Sequence, residues 1–166
     1  MFTVGDTVLY GQSGVCRITD IRTERFGPTP RTYYVLMPVH DKASTFYCPV
    51  DREELSLRPL LDAEEVHRLI RQLPQAQDVW IEDKTQRRDR FADMLKSGDC
   101  EQIMALIHTI YQHRCRRDEA GKKLHLADER VLRDAERLLH EEFAEVLGIR
   151  PDEVVAYIRE ELQAGA

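Results

Sequence analysis

The amino-acid sequence predicts an α+β protein in which a small antiparallel β barrel precedes an all-helical domain. The first 58 residues contain short β-prone runs separated by turn-forming residues. After Pro59, apolar residues recur at intervals of three and four, which is the period of an amphipathic helix. We therefore expect a β module over residues 1–58 and a domain of about five helices over residues 59–166.

Four β-strands are predicted in the first module. Runs rich in β-branched and aromatic residues are favoured in strands, and they occur at residues 6–10, 15–23, 31–37 and 44–48. The sequences GQSG and FGPTP are typical of turns and separate the first three runs, and Pro49 ends the fourth. Several short strands with turns between them favour a small antiparallel barrel.

Capping residues mark the boundaries of the predicted helices. Asp62, followed by Glu65 three residues later, is typical of a capping box at a helix N-terminus. Val66, Leu69 and Ile70 then give this helix one apolar face. The longest helix is predicted at about residues 126–147. The other boundary signals are Pro74, Asp83, Asp99, Gly148 and Pro151.

The charge and composition exclude several classes of protein. The formal net charge is −6, which argues against broad, non-specific coating of nucleic acid. No apolar run approaches the roughly 20 residues of a membrane-spanning helix. The N-terminus lacks a basic segment followed by an apolar one, so no signal peptide is predicted and a cytoplasmic location is expected.

No catalytic, cofactor or metal site is predicted. The sequence contains no phosphate-binding glycine motif, no HExxH and no GxSxG. The cysteines form no CxxC pair and match no zinc module, so we expect buried or partly buried thiols. We therefore expect a non-enzymatic protein without a small-molecule substrate. The four cysteines are Cys16, Cys48, Cys100 and Cys115.

A cluster of positive charge follows the single tryptophan, in the segment DVWIEDKTQRRDRF at residues 78–91. Cations at a helix N-terminus oppose the helix dipole, and Lys84 and Arg88 repel each other at a spacing of four. An anionic partner would relieve both penalties. The alternative is a solvated face with Asp83 and Asp89 as counter-ions. The residues concerned are Trp80, Lys84, Arg87, Arg88 and Arg90.

Four aromatic residues lie on two predicted strands, at Tyr33, Tyr34, Phe46 and Tyr47. Aromatic side chains on a small barrel can form a cage for a methylated cation. They can also form a surface for protein docking, since tyrosine is enriched at protein interfaces. The sequence favours docking.

The order of these features resembles the CarD/CdnL family of bacterial transcription regulators. The resemblance rests on GDTVLYGQSGVCRITDI, YYVLMP, FYCP and LRP, and then on FADMLKSGD, IHTIYQHR and LADERVLRDAERLL. It implies a Tudor-like β module that docks on the β subunit of RNA polymerase. It also implies a helical domain that contacts promoter DNA at the upstream edge of the transcription bubble, where a tryptophan wedges into the minor groove and the open complex is stabilised.

This resemblance assigns roles to residues of both halves. The DNA-contacting residues would be Trp80, Lys84, Arg87, Arg88 and Arg90, with weak DNA binding in the absence of polymerase. The polymerase-contacting residues would be Arg25, Tyr34, Phe46 and Tyr47. A monomer is expected.

Three positions depart from the family pattern. The first turn is Gly11-Gln12-Ser13-Gly14 in place of a turn with proline and histidine. Tyr47 occupies a position where some relatives have arginine, and the register of the wedge tryptophan falls on Lys84, four residues after Trp80. A protein-interaction adaptor whose basic helix start meets an acidic protein surface is the alternative function.

Overall fold

The computed structural model describes residues 1–165, apart from the side chain of Leu55. The chain divides into two compact units, one formed by Met1–Leu60 and one that begins at Leu61. The β-strands lie in the first unit and the long helices in the second, which makes this an α+β protein.

The first unit is a five-stranded antiparallel sheet with the strand order β4-β3-β2-β1-β5. The closed barrel expected from the sequence is therefore not formed, because β4 and β5 are the two edges of an open sheet. The fifth strand was not predicted, because it has only three residues, too few to show a periodic pattern, and it follows a single helical turn. The elements are β1 (Thr7–Tyr10), β2 (Val15–Glu24), β3 (Arg31–Pro38), β4 (Phe46–Pro49), α1 (Glu53–Ser56) and β5 (Leu57–Pro59).

Alternation along β3 separates the two faces of the sheet. Tyr34 and Leu36 point into the core of this unit, where both are fully buried with Ile18 and Cys48. Successive side chains of a strand point to opposite faces, so Tyr33 lies on the outer face. The register pairs Val35 directly with Tyr47 of β4, which brings aromatic residues from two strands together on that outer face.

The second unit contains five α-helices in its described residues, and three of them begin at predicted capping residues, whereas the last begins at Val154, three residues after Pro151. Asp62 and Glu65 form the expected capping box, with both hydrogen bonds present at 2.8 and 2.9 Å. Asp83 and Asp99 are N-caps as predicted. The helices are α2 (Ala63–Gln72), α3 (Lys84–Lys96), α4 (Cys100–Glu119), α5 (Leu126–Leu147) and α6 (Val154–Ala164).

One helix is longer than its sequence suggests. The segment RRDEAGKK reads as a polar connection, but α4 continues through Arg116 and Arg117 to Glu119. Charged residues do not break a helix, and the chain turns only at Ala120 and Gly121, whose φ of 72° favours glycine.

The core of the second unit is built from the apolar faces of these helices. Phe91 of α3, Ile103 and Ile110 of α4, and Phe143 of α5 are all at most 2% exposed. Glu142 is buried among them, and its carboxylate accepts hydrogen bonds from the Leu61 amide (2.9 Å) and the Cys100 thiol (3.1 Å). A buried carboxylate needs such donors to offset its lost hydration.

Three of the four cysteines are buried, as the sequence predicted. Cys16, Cys48 and Cys100 are buried, whereas Cys115 is exposed on α4. Within residues 1–165, no helix is both long and apolar enough to cross a membrane. In the same residues, no three His, Cys, Asp or Glu side chains are placed to hold a metal ion together.

Candidate functional site

The basic helix start predicted from the sequence is the N-terminus of α3. Asp83 caps it by accepting a hydrogen bond from the Gln86 amide at 2.9 Å. Lys84 and Arg88 are exposed there, one helical turn apart. Arg88 has one carboxylate nearby, that of Asp89 at 3.8 Å, and both side chains remain about 70% exposed. This surface therefore presents two solvated cations, and its ion pair contributes little to stability.

Arg90 lies on a different side of α3 from these two cations. It lines an open groove of about 530 Å³ together with Met94 of α3 and Asp99 and Glu101 of α4. Because consecutive helical residues are rotated by roughly 100°, Arg90 is turned well away from Lys84 and Arg88. The three exposed cations predicted to act together are thus divided between two surfaces.

The structure corrects the expected position of Arg87. Arg87 is only 4% exposed. Its guanidinium forms a bidentate ion pair with the carboxylate of Asp128 in α5, and both N–O distances are 3.0 Å. The same guanidinium donates to the carbonyl oxygens of Ile81 and Glu82. All of these bonds form inside the helical unit, so Arg87 connects α3 to α5 and is buried where the sequence predicted an exposed cation. From the sequence alone, an arginine on a helix is expected to be exposed to solvent. Arg87 is buried because the buried carboxylate of Asp128 compensates its charge.

Trp80 is half-buried and packs against three side chains. Its indole stacks on His113 of α4, with ring centroids 3.5 Å apart and planes 19° from parallel. The Arg87 guanidinium lies 4.2 Å from its ring centroid, a cation–π distance, and Phe91 meets it edge-on at 6.2 Å. The buried Nε1 has no hydrogen-bond partner among the described residues. A wedge role would require the indole to leave the His113 stack.

The segment that carries Trp80 is held on α4 by its backbone. The Val79 amide donates to the buried Thr109 hydroxyl at 3.0 Å, and that hydroxyl donates to the Gln77 carbonyl oxygen. The Asp78 carboxylate accepts from the Trp80 amide at 2.9 Å. These bonds fix the segment although it has no regular secondary structure.

A second set of cations, which the sequence interpretation missed, lies near the N-terminus of α3. The Trp80–His113 stack places the end of α4 beside the start of α3, and the Arg87–Asp128 pair adds the start of α5. The connection between α4 and α5 turns back on itself, with Arg117 Nε donating to the Lys123 carbonyl oxygen at 2.8 Å. Residues 113–125 contain five Lys or Arg residues against two acidic ones.

We refer to these cations as the basic end of the helical unit. They come from two chain segments that are distant in sequence, residues 84–88 and 114–123, so neither segment alone shows the whole set. Asp83, Asp89, Asp118 and Glu119 lie in the same segments and limit the total positive charge. The exposed members of the basic end are Lys84, Arg88, Arg116, Lys122 and Lys123, and Arg114 and Arg117 are half-exposed.

Two of the residues expected to contact polymerase face the core of the sheet. Tyr34 is fully buried, its hydroxyl donates to Glu53 and accepts from the Phe2 amide, and burial raises its pKa. The expectation that Tyr34 forms part of a docking surface is therefore wrong, because β3 alternates and only every second side chain can face outwards. Phe46 also packs against the core, beside Tyr10 at 5.8 Å.

Three aromatic rings form a cluster on the opposite, outer face of the sheet. Phe26, from the loop between β2 and β3, meets Tyr33 at 5.2 Å and Tyr47 at 4.9 Å, and the two tyrosines are 6.3 Å apart. We call this set the aromatic triad. Arg25 is exposed next to it, and its guanidinium donates to the Pro28 carbonyl oxygen at 3.1 Å.

The alternative considered for these aromatic residues, a cage for a methylated cation, is not formed. Tyr34 and Phe46 face the core while Tyr33 and Tyr47 face outwards, so the four rings cannot enclose one ligand. The cation position over Tyr47 is taken by Arg22, whose guanidinium carbon lies 5.7 Å from the ring centroid. A cage needs an open gap between ring faces.

The comparison with protein families concerns the first unit. Residues 2–61 match the model of the CarD-like/TRCF RID domain. This unit is similar to that domain, and below we call it the RID domain. The resemblance to CarD-like proteins is thereby confirmed over these residues, and the RID domain is an RNA polymerase-interacting domain of a non-catalytic transcription factor family. A search of curated proteins found no match to the chain.

Proposed function

We propose that the protein is a non-enzymatic transcription regulator that docks on the β subunit of RNA polymerase and contacts promoter DNA at the upstream edge of the transcription bubble. The RID domain match over residues 2–61 carries the polymerase part of this proposal. Such a factor acts in the cytoplasm, on the polymerase. Its effect would be a longer-lived open complex, because contacts made only in that state shift the equilibrium towards it.

The basic end of the helical unit supports the DNA part. DNA phosphates are neutralised mainly by lysine and arginine, and such contacts need exposed side chains. Lys84, Arg88, Arg116, Lys122 and Lys123 meet that requirement, and buried Arg87 does not. We therefore propose that the phosphate contacts are made by this convergent set, with Arg90 outside it.

The role proposed for Trp80 depends on whether its indole can leave its packing. In the structure it lies against His113 and Arg87. Wedging into the minor groove costs base unstacking, which an apolar side chain offsets only when it inserts fully. Comparing Trp80→Phe, which keeps an aromatic ring in the His113 stack, with Trp80→Ala separates a wedge from a packed side chain.

The test combines a binding assay with a lifetime assay. Core RNA polymerase should retain the full chain in a pull-down, and the protein should lengthen the lifetime of a promoter open complex. The variant Lys122→Ala/Lys123→Ala should keep polymerase binding and lose most of the lifetime effect. Its matched control is Arg71→Ala/Lys96→Ala, which removes the same charge from exposed positions in the last turns of α2 and α3.

The outcomes distinguish the alternatives. Lys96 lies twelve residues along α3 from Lys84, so roughly 18 Å separates the control position from the basic end. If the Lys122→Ala/Lys123→Ala variant loses polymerase binding, the basic end meets an acidic protein surface and the protein is an adaptor. If both double variants behave as the unmodified protein does, the basic end has no part in the function.

A further inference from the structure

We propose that Phe26 is the anchor with which the RID domain binds RNA polymerase, and that the contact is apolar and tolerant of salt. The partner surface is an uncharged, apolar strip of the polymerase that packs on the aromatic triad of Phe26, Tyr33 and Tyr47. This inference rests on the proposed function and names the residue and the chemistry of its polymerase contact.

Exposure distinguishes Phe26 from the other aromatic residues of the sheet. Its side chain is 61% exposed, whereas Tyr34 is fully buried and Tyr33 and Tyr47 are half-buried. Large aromatic side chains that become fully desolvated supply much of the affinity at protein interfaces. At 61% exposure, Phe26 keeps more than half of its surface available for burial by a partner.

The triad holds Phe26 in place before any partner arrives. Tyr33 and Tyr47 meet it edge-on, at interplanar angles of 61° and 70°. Val35, which the register places directly opposite Tyr47, is only 6% exposed, so the strand position next to Tyr47 is apolar and buried. An anchor ordered in advance loses less conformational entropy on binding.

Two of the arginines near the triad, Arg22 and Arg31, already have carboxylate partners. Arg22 donates to the Tyr47 hydroxyl at 2.9 Å and lies 3.0 Å from Glu24 and 3.9 Å from Asp20. Arg22 thus has carboxylates of its own and the Tyr47 hydroxyl has a donor, whereas the exposed Arg25 donates to the Pro28 carbonyl oxygen.

Arg31, which lies opposite Glu24 in the register of β2 and β3, gives the same result, since both oxygens of Asp51 lie 2.9 Å from one of its nitrogens. A surface whose charges are internally neutralised complements an uncharged partner better than an acidic one.

The experiment measures binding of the full chain to immobilised core RNA polymerase. Phe26→Ala is compared with Val4→Ala, which shortens another apolar side chain of the same unit that is 57% exposed and outside the triad. We expect Phe26→Ala to weaken binding by roughly tenfold or more, as truncation of an anchor does, and Val4→Ala to bind as the unmodified protein does. Phe26→Leu, which keeps an apolar side chain, should restore part of the loss.

A salt series gives an independent readout. Between about 50 and 500 mM salt, the affinity of the unmodified protein should change by less than about threefold, because screening acts on charged contacts. A steep loss of affinity with salt, or normal binding by Phe26→Ala, overturns the apolar anchor while leaving polymerase docking intact. Failure of the unmodified protein to bind polymerase overturns the proposed function and this inference with it. Self-association of the free protein that Phe26→Ala abolishes would assign the triad to a second copy and also overturn it.

Discussion

At the scale of single residues, burial separates structural cations from those available to a partner. Arg87 and Arg88 are adjacent in sequence, yet Arg87 is 4% exposed and Arg88 is exposed. The difference follows from helix geometry, since neighbouring residues point about 100° apart. Asp128 is 4% exposed and compensates the buried charge of Arg87. Mutation of Arg87 should therefore destabilise the protein, whereas mutation of Arg88 should leave its stability nearly unchanged.

We expect Arg87→Met to destabilise the helical unit by about 3–5 kcal/mol, because it leaves the buried Asp128 carboxylate without its cation. Arg88→Met is the control and should change stability by less than about 0.5 kcal/mol. Urea unfolding followed by circular dichroism measures both. Adding Asp128→Leu to Arg87→Met should recover part of the loss, since the unpaired charge is removed. Equal stabilities of the two single variants would contradict the buried ion pair.

His113 makes the stability of the helical unit depend on pH. Burial against Trp80 lowers its pKa from the ordinary value of 6.5, and Arg117 lowers it further, followed by Arg87. Glu82 and Asp128 act in the opposite direction and are outweighed. The folded state thus binds the proton less readily than the unfolded state does. The stabilisation that comes from the lowered pKa of His113 is fully present above the ordinary pKa of 6.5. It is lost as the pH falls through the pKa of His113 in the folded state.

The thermal midpoint should fall on going from about pH 7.5 to pH 5, and His113→Gln should reduce that fall. His140 also has a pKa lowered by burial and accounts for part of the remainder. His40→Gln, at an exposed turn of the RID domain, is the matched control. A fall of the same size in His113→Gln and in the unmodified protein would show that the stack with Trp80 does not resist protonation.

At the scale of secondary-structure elements, the helix ends follow the sequence closely. Asp62, Asp83 and Asp99 each accept a backbone amide hydrogen bond at the start of a helix. At the other end of α5, Gly148 adopts the left-handed conformation with φ 68° and ψ 33°. Local hydrogen bonding and backbone sterics decide these positions, and both act over a few residues.

We expect Gly148→Ala to destabilise the protein by about 1 kcal/mol, because a side chain at a left-handed position is strained. No atom lies within 4 Å of the Cβ it would add, so the cost is conformational and not steric. Gly27→Ala is the control, since that glycine also has open space but no left-handed φ. Chemical denaturation compares the two, and a loss that is no larger at Gly148 than at Gly27 would rule out the left-handed cap.

At the scale of the whole molecule, the two units carry surfaces of different chemistry. The RID domain presents an aromatic triad, and Arg22 and Arg31 near it are paired with carboxylates. The helical unit presents the basic end, and the chain as a whole has a formal net charge of −6. Coulombic attraction to DNA is therefore local, and DNA affinity in the absence of polymerase should be low.

Binding to promoter DNA should become appreciable only with polymerase present, because docking raises the effective concentration of the basic end near the DNA. If about four phosphates are contacted, the DNA affinity of the free protein should fall on the order of 100-fold between 50 and 200 mM salt. Fluorescence anisotropy with labelled duplex, with and without polymerase, measures both quantities. Tight binding of the free protein to random duplex at physiological salt would contradict this division between the two units.

The sequence by itself determined the features that depend on neighbouring residues. The change from strands to helices, the caps at Asp62, Asp83 and Asp99, and the helix end at Gly148 all follow from local patterns and are present in the structure. The ordered motifs of the first module also sufficed to indicate its family.

Only the tertiary structure decided which side chains are available to a partner. It buried Arg87 against Asp128, 41 residues away, and it turned Tyr34 into the core. It also joined Phe26 to Tyr47 and brought the end of α4 to the start of α3. The physical reason is that exposure and charge pairing depend on neighbours in space, and local patterns specify an element's face but not what covers it.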